Sequence, residues 1–295
     1  MENTAKLILD DQEIELPMIV GTENEKAIDI TKLRSTTGYI TIDDGYKNTG
    51  SCKSEITFIN GEKGILRYRG IPIEEFTNCP SFVTVTWLLI FGRMPTSSEL
   101  ADFSQLLTDN ELLHESLRVQ FGQIPVDAPP MAILSATLNN LSYYHQQFLA
   151  LEDTGSLAEA AARLISKVRT IAAYSYRRSR GLPFMYPDPN LRYCANLLHM
   201  MFSLPHKQYV VPPEIEDALN LVLLLHADHE QNCSTSTVRV VGSSKANLFA
   251  SCAAGVSALW GPLHGGANVK VIEMLERVHA GGMTAEECIR AAKDK

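Results

Sequence analysis

Three histidines carry the chemistry this sequence could perform. His226 and His229 stand in the run L-V-L-L-L-H-A-D-H-E-Q-N-C-S-T-S-T-V-R, and His264 stands downstream in W-G-P-L-H-G-G-A-N. An imidazole changes charge near neutral pH, so it can move protons, bind carboxylates or ligate a metal. Three readings compete. Taken singly, His226 or His229 reads best as a core histidine tied to backbone or to a carboxylate, with Asp228, Glu230, Gln231 and Asn232 close by. A metal site drawn from His226, His229, Cys233 and His264 is disfavoured, because H-x-x-H-E is neither H-E-x-x-H nor H-x-x-E-H. The third reading is a polar pocket for an anionic substrate at a helix C-terminus. It needs support from the stretch around His264.

The elements that must position these side chains follow from residue order. Pro212 and Pro213 suit a helix start, and Glu214, Glu216 and Asp217 lie in the first turn, where the dipole favours anions. Ile215, Leu219, Val222, His226 and His229 follow at spacings of 4, 3, 4 and 3, which places them on one helical face. Leu221, Leu223, Leu224 and Leu225 make the other sides apolar, so this half of the helix is expected to be buried all round. Residues 246–261 are dominated by Ala, Ser, Cys and Gly, which lets a second backbone approach closely; this helix is expected to pack antiparallel to the 212–229 helix. Gly261-Pro262 breaks it, and a helical pattern resumes at 267–278. His264 therefore precedes two glycines at a helix N-terminus, where backbone N–H groups could face an anion. That is the support the third reading needs.

H-A-D-H-E-Q-N-C-S-T-S-T-V-R followed by W-G-P-L-H-G-G-A-N resembles citrate synthase, in its bacterial hexameric form with an N-terminal β extension. The segment C-K-S-E-I-T-F-I-N-G-E-K-G-I-L-R-Y-R-G-I-P-I-E-E-F is similar to the same family's N-terminal region. The motif pair is long, ordered and specific, and the likeness runs over the whole chain. It implies a mainly α fold: an N-terminal β-rich module at 1–70, a helical large domain at 71–265 and the beginning of a small domain at 266–295. It implies condensation of oxaloacetate with acetyl-CoA and hydrolysis of citryl-CoA, with acetyl-CoA as a substrate and with no cofactor or metal. By family motif, His264 is the donor to the thioester oxygen. It acts together with a carboxylate base, so the enolate never carries full charge. His229 binds oxaloacetate, and His226 lies beside it. The resemblance further implies self-association as a dimer or hexamer. A 2-methylcitrate synthase is the alternative enzyme, and the β extension argues against it.

The rest of the chain sets limits. With 26 basic and 34 acidic residues the net charge is −8, which argues against nucleic acid as a partner. Six cysteines, Cys79 among them, are scattered without a C-x-x-C, which fits a reducing cytoplasm. The first residues, M-E-N-T-A-K, carry no apolar signal-peptide core, and the apolar run 82–91 is too short to span a bilayer. Residues 5–9, 13–20, 39–42, 55–59 and 65–68 read as strands, with hairpin signals at Asp43-Asp44-Gly45 and Asn60-Gly61. Helices are expected at 82–91, 100–107 behind a Thr96–Glu99 cap, 110–121, 131–144, 155–178 and 193–202, with His199 in the core. Arg177-Arg178-Ser179-Arg180 reads as a solvated helix end.

Two departures from the family matter. G-F-G-H-R-V-Y, the D-P-R after it and the N-V-D-F-Y segment with the catalytic aspartate do not occur in these 295 residues, and Asp294 stands in a charged tail without a supporting motif. The chain thus reads as C-terminally truncated relative to the family and inactive alone; an inert citrate synthase-like fragment or interaction partner is the rival to an enzyme. Related bacterial enzymes can also be inhibited by NADH. Arg163 and Lys167 match that basic site, but Asp109-Asn110-Glu111, Leu204 and His206 depart from it. Two acids facing a nucleotide would repel it, so NADH regulation is not expected.

Overall fold

Polar–apolar alternation builds the first elements of the computed structural model, which describes residues 4–46, 48–76, 81–148 and 154–293. Cys79 and Asp294 lie outside the described residues. Strand β1 (Thr4–Leu9) pairs antiparallel with β2 (Gln12–Val20), Leu7 opposite Ile14, and β2 pairs with β3 (Lys26–Ile28). A short helix, α1 (Leu33–Thr37), follows. These elements belong to the first of two compact units, Met1–Lys53 and Ser54–Lys295. The strand expected at 39–42 does not form. Its β-branched residues have no ladder partner, Ile40 and Ile42 stay exposed, and the Tyr39 hydroxyl instead donates to Asp10 Oδ2 at 2.6 Å. Asp43 closes a loop there rather than a hairpin, its carboxylate accepting the Asn48 N–H at 2.8 Å.

The second unit opens with an antiparallel sheet of β4 (Thr57–Asn60), β5 (Ile65–Tyr68) and β6 (Ile71–Pro72), in that order, with the expected turn after Asn60. The chain is helical from there on. Helix α2 (Phe82–Phe91) is capped by Ser81 and ended by the Gly92 N–H on Leu88 O; it is buried through most of its length. Helix α3 (Ser97–Asp109) starts with the expected capping box between Thr96 and Glu99. Arg93 forks onto the same carboxylate and, with the Thr96 bonds, lowers its pKa to about 2. The helix expected at 110–121 forms only as α4 (Glu115–Phe121). Asn110 O and Leu112 O accept from Lys167 Nζ at 3.0 and 2.7 Å, a pairing that competes with a helical ladder.

Helix α5 (Pro130–Asn140) leads to the central helix α6 (Thr154–Ser179), which packs against α3, α4, α5 and α7 (Tyr193–Phe202). Small residues along it, Ala160, Ala162, Ser166, Thr170 and Ala173, are buried, so neighbours come close. Ile171 and Tyr174 of α6 join Leu117, Phe121, Leu138, Leu141, Met200 and Phe249 in the main core. His199 is buried in α7, as expected, with Nδ1 2.9 Å from Ser203 Oγ. The basic run at the end of α6 is not a solvated terminus. Arg177 is fully buried and donates to Pro183 O, Met201 O and Ser203 O, and Arg178 donates to Ile124 O. Their guanidinium groups donate to backbone carbonyls of loops and of the end of α7.

The last helices are α8 (Pro213–Leu225), α9 (Cys233–Gly242), α10 (Leu248–Leu259), α11 (Gly266–His279) and α12 (Ala285–Lys293). Two expectations fail here. Helix α8 starts at the proline pair but is not buried all round: Leu224 is its buried residue, and Val222 is 51% exposed. Nor are α8 and α10 the principal antiparallel pair. Helix α8 packs on α2 and α7, whereas α10 packs on α9 and α5. The reason is α9, which no sequence expectation included. It claims the small-residue face of α10 at Gly255, where an added Cβ would lie 2.6 Å from Val238 Cγ2.

Candidate active site

The C-terminal carbonyls of α8 organise the first two histidines. Helix α8 stops at Leu225, and His226 is its cap residue, so neither His226 nor His229 continues the helical stripe. Both rings are exposed and turn back onto the helix end. His226 Nδ1 donates to Val222 O at 2.8 Å, and His229 Nε2 donates to Leu225 O at 3.1 Å, since a carbonyl can only accept. The two rings lie nearly parallel, 6.0 Å apart. Each imidazole thus adds a donor to a carbonyl of the last turn of α8 with one ring nitrogen. They are not core histidines.

Sequence reasoning passed over the residue beneath them. Tyr68, at the end of β5, is fully buried, and its hydroxyl donates to Leu224 O at 3.0 Å. Burial pushes its phenol above the usual range, so it remains a neutral donor. Beyond His229 the chain reverses at Glu230, whose φ is +56°, and reaches Asn232. Asn232 caps α9, its Oδ1 accepting the Thr235 N–H at 2.9 Å, and its Nδ2 donates back to His229 O at 3.4 Å. An N-cap residue before a Ser/Thr run was the available signal for α9.

His264 meets the first turn of that helix. The backbone N–H of Ser234 points at His264 Nε2 from 3.3 Å, and Ser234 Oγ lies 3.0 Å from the same nitrogen. A proton on Nε2 would confront that N–H, so Nε2 accepts and the ring proton resides on Nδ1. Ser234 Oγ also lies 2.8 Å from Asn232 Oδ1 and shares its one proton between the two acceptors. His264 is half-buried, while Leu263 beside it is 100% exposed.

The glycines after His264 do not form an anion nest. The N–H groups of His264 and Gly266 are taken by Gly261 O, and that of Gly265 by Leu259 O. Gly265 is required for another reason: a Cβ there would sit 2.5 Å from Leu259 O. The structure thus joins the three histidines through one chain of contacts, His226 stacked on His229, and His229 connected through Asn232 and Ser234 to His264. Among the described residues no group of three or more His, Cys, Asp or Glu side chains could hold a metal ion.

Arg163 and Lys167 lie elsewhere. Lys167 borders a cavity of about 290 Å³ with Leu112, His114, Leu141, Tyr144 and His145. Burial lowers the pKa of its ammonium to about 8. Arg163 pairs with Glu159 and with the Asn110 side chain. Glu111 does not face that cavity as a free acid; it is buried against Arg169 at 2.6 Å and accepts from Asn196. The expected repulsion from two acids therefore does not apply to Glu111.

A family model described as citrate synthase, C-terminal domain, matches residues 45–295. The chain belongs to the citrate synthase family. Citrate synthase 1 of Mycobacterium tuberculosis strain H37Rv is 45% identical over 294 residues, covering 100% of this chain and 68% of that protein. The citrate synthase of Corynebacterium glutamicum is also 45% identical over 294 residues, covering 99% of this chain and 67% of its own length. Both alignments include the N-terminal strands, which the family model leaves out. Among solved structures, the citrate synthase of Pyrobaculum aerophilum superposes with a TM-score of 0.70 at 34% identity, covering 79% of this chain and 58% of that one. The Thermoplasma acidophilum citrate synthase, in a ternary complex with carboxymethyl coenzyme A and oxaloacetate, gives 0.74 at 26% identity, with 81% and 61% covered. The chain spans less than two thirds of these two citrate synthase structures.

Proposed function

We propose that this chain supplies the histidine side of a citrate synthase site, which condenses oxaloacetate with acetyl-CoA and hydrolyses citryl-CoA. The observation that supports this most is the Ser234 N–H aimed at His264 Nε2. It leaves a neutral ring with its proton on Nδ1, a donor suited to the thioester oxygen as enolate charge develops there. His229 binds oxaloacetate. With Nε2–H committed to Leu225 O, Nδ1 is the ring nitrogen left to face the ligand. His226, stacked on it, holds the adjoining position. Acetyl-CoA enters as a substrate, and no cofactor or metal takes part. The named relatives favour this activity over 2-methylcitrate synthesis.

Deprotonating the thioester methyl also needs a carboxylate base, and these residues carry no motif for one. We therefore expect no CoA release when the 295-residue chain is mixed with oxaloacetate, acetyl-CoA and a thiol reagent. Robust turnover would require a base within the chain itself. In a competent polypeptide containing these residues, His264→Ala should lower kcat by about 10²–10⁴; an unchanged kcat would remove His264 from the mechanism. Self-association as a dimer or hexamer and a cytoplasmic location complete the proposal. The described cysteines Cys52, Cys194, Cys233, Cys252 and Cys288 are free thiols, in keeping with a reducing compartment. Residues 266–295 fit the start of a second, smaller domain. No helix among the described residues is long and apolar enough to cross a membrane.

A further inference from the structure

Glu230 is the residue in the histidine loop that the proposed chemistry does not use. Its backbone has φ +56°, a left-handed conformation that a side chain with a Cβ adopts only when its surroundings hold it there. Two bonds do so. The Glu230 N–H donates to Asp228 Oδ2 at 3.1 Å, and Glu230 Oε1 accepts the Ile59 N–H at 2.6 Å. Ile59 lies in β4, the edge strand of its sheet, where outward N–H groups have no strand partner. The carboxylate therefore closes an open sheet edge with a short, charge-assisted bond. The same sheet also reaches the end of α8, through Tyr68 on Leu224 O. His229 is held between these two ties, one at the α8 carbonyls and one at the residue that follows it.

We propose that Glu230 is a positioning residue: its carboxylate, anchored on the edge of β4, fixes the reversal that presents His229 and sets Asn232 at the head of α9. Asn232 in turn meets Ser234, the residue that faces His264. The inference rests on His229 as the oxaloacetate-binding residue.

The test is made on the ligand-free chain by NMR, reading the ring-nitrogen shifts of His229 and the hydrogen exchange of the Ile59 amide. Glu230→Gly accepts the left-handed backbone but removes the clamp. It should lose the Nε2–H signature of His229 and speed Ile59 exchange by about tenfold or more. Glu230→Gln keeps an acceptor oxygen and should restore both. Ile59→Pro removes the donor instead, is tolerable on an edge strand, and should disturb His229 as Glu230→Gly does. A purely structural role would not give this pattern of loss and rescue in chains whose core signals, such as Tyr174, are unchanged. A His229 signature that persists in either clamp-deleted variant, or that Glu230→Gln fails to rescue, overturns the proposal. A separate titration of the wild-type chain with oxaloacetate reads the underlying assignment: no movement of the His229 resonances would count against His229 as a ligand-binding residue and leave the ligand-free result for Glu230 standing.

Discussion

Helices α6 and α11 carry similar amphipathic patterns and have opposite surroundings. Helix α6 is enclosed, and even its terminal Arg177 is fully buried. Helix α11 has no buried residue among those described, and Val269, Val271, Ile272 and Leu275 on it are exposed. Periodicity alone therefore says which face of a helix is apolar, not whether anything covers it. His264 lies where these regimes meet, between α10, with Phe249, Ser251, Ala253 and Gly255 buried, and α11. The site is placed by finished packing on one side and opens toward bare apolar surface on the other.

Four substitutions probe this contrast. The largest effect is expected at Arg177→Met, which deprives the carbonyls of Pro183, Met201 and Ser203 of a donor from a fully buried side chain. Unfolding in urea should show a loss of about 3 kcal/mol or more, and a loss below about 1 kcal/mol would deny α6 its role as anchor. Next is Gly265→Ala, where the new Cβ meets backbone oxygen rather than a yielding side chain. We expect about 1–3 kcal/mol of destabilisation together with displacement of His264; an unshifted His264 ring resonance would show that the turn absorbs the Cβ elsewhere.

Third, an acid-sensitive histidine lies in the core half. His145 stacks on Phe249 with ring centroids 5.7 Å apart, and burial lowers its pKa from the ordinary 6.5 to about 4. Below pH 6.5 the unfolded chain takes up a proton that the folded chain refuses until about pH 4, so stability falls across that window. His145→Phe should flatten the fall in denaturant midpoint between those limits, and an unaltered pH profile would place the acid sensitivity elsewhere. The smallest effect on stability belongs to Leu275→Ser on α11, within about 0.5 kcal/mol. Its signal should appear in light scattering as weaker association of the chain, because it removes exposed apolar surface. Unchanged association would mean that α11 is not the face involved.

Much of the scaffold was legible because local signals agreed. Helices α2 and α7 form over the expected residues, the first bounded by Ser81 and Gly92, and the capping box before α3 forms as written. Where competition decided the outcome, the sequence was ambiguous. The strand expected at 39–42 lacked a partner, and the start of the 110–121 helix lost its carbonyls to Lys167, an interaction across 57 residues. Helix α9 is hard to read in the sequence because Ser234, Thr235, Ser236 and Thr237 are weak helix formers, and Asn232 shows its cap role only once the helix is in place. Without α9 the partner of α10 is misassigned. The histidines themselves were found by type and motif. Tyr68 and Glu230 were not, since their contacts with the loop join residues more than 150 positions apart.

That separation bears on the order in which the site assembles. The Ser234–His264 contact closes a span of 30 residues, whereas the Ile59–Glu230 bond closes one of 171. Loop-closure entropy makes the longer closure costlier by about 1.5 kcal/mol. The α9–α10 hairpin can therefore bring Ser234 and His264 together as a local event, on the timescale of neighbouring helices docking. The loop that presents His229 acquires its final shape only when a strand made much earlier in synthesis arrives at its edge. A chain interrupted midway through folding would hold His264 in register while His229 was still unset.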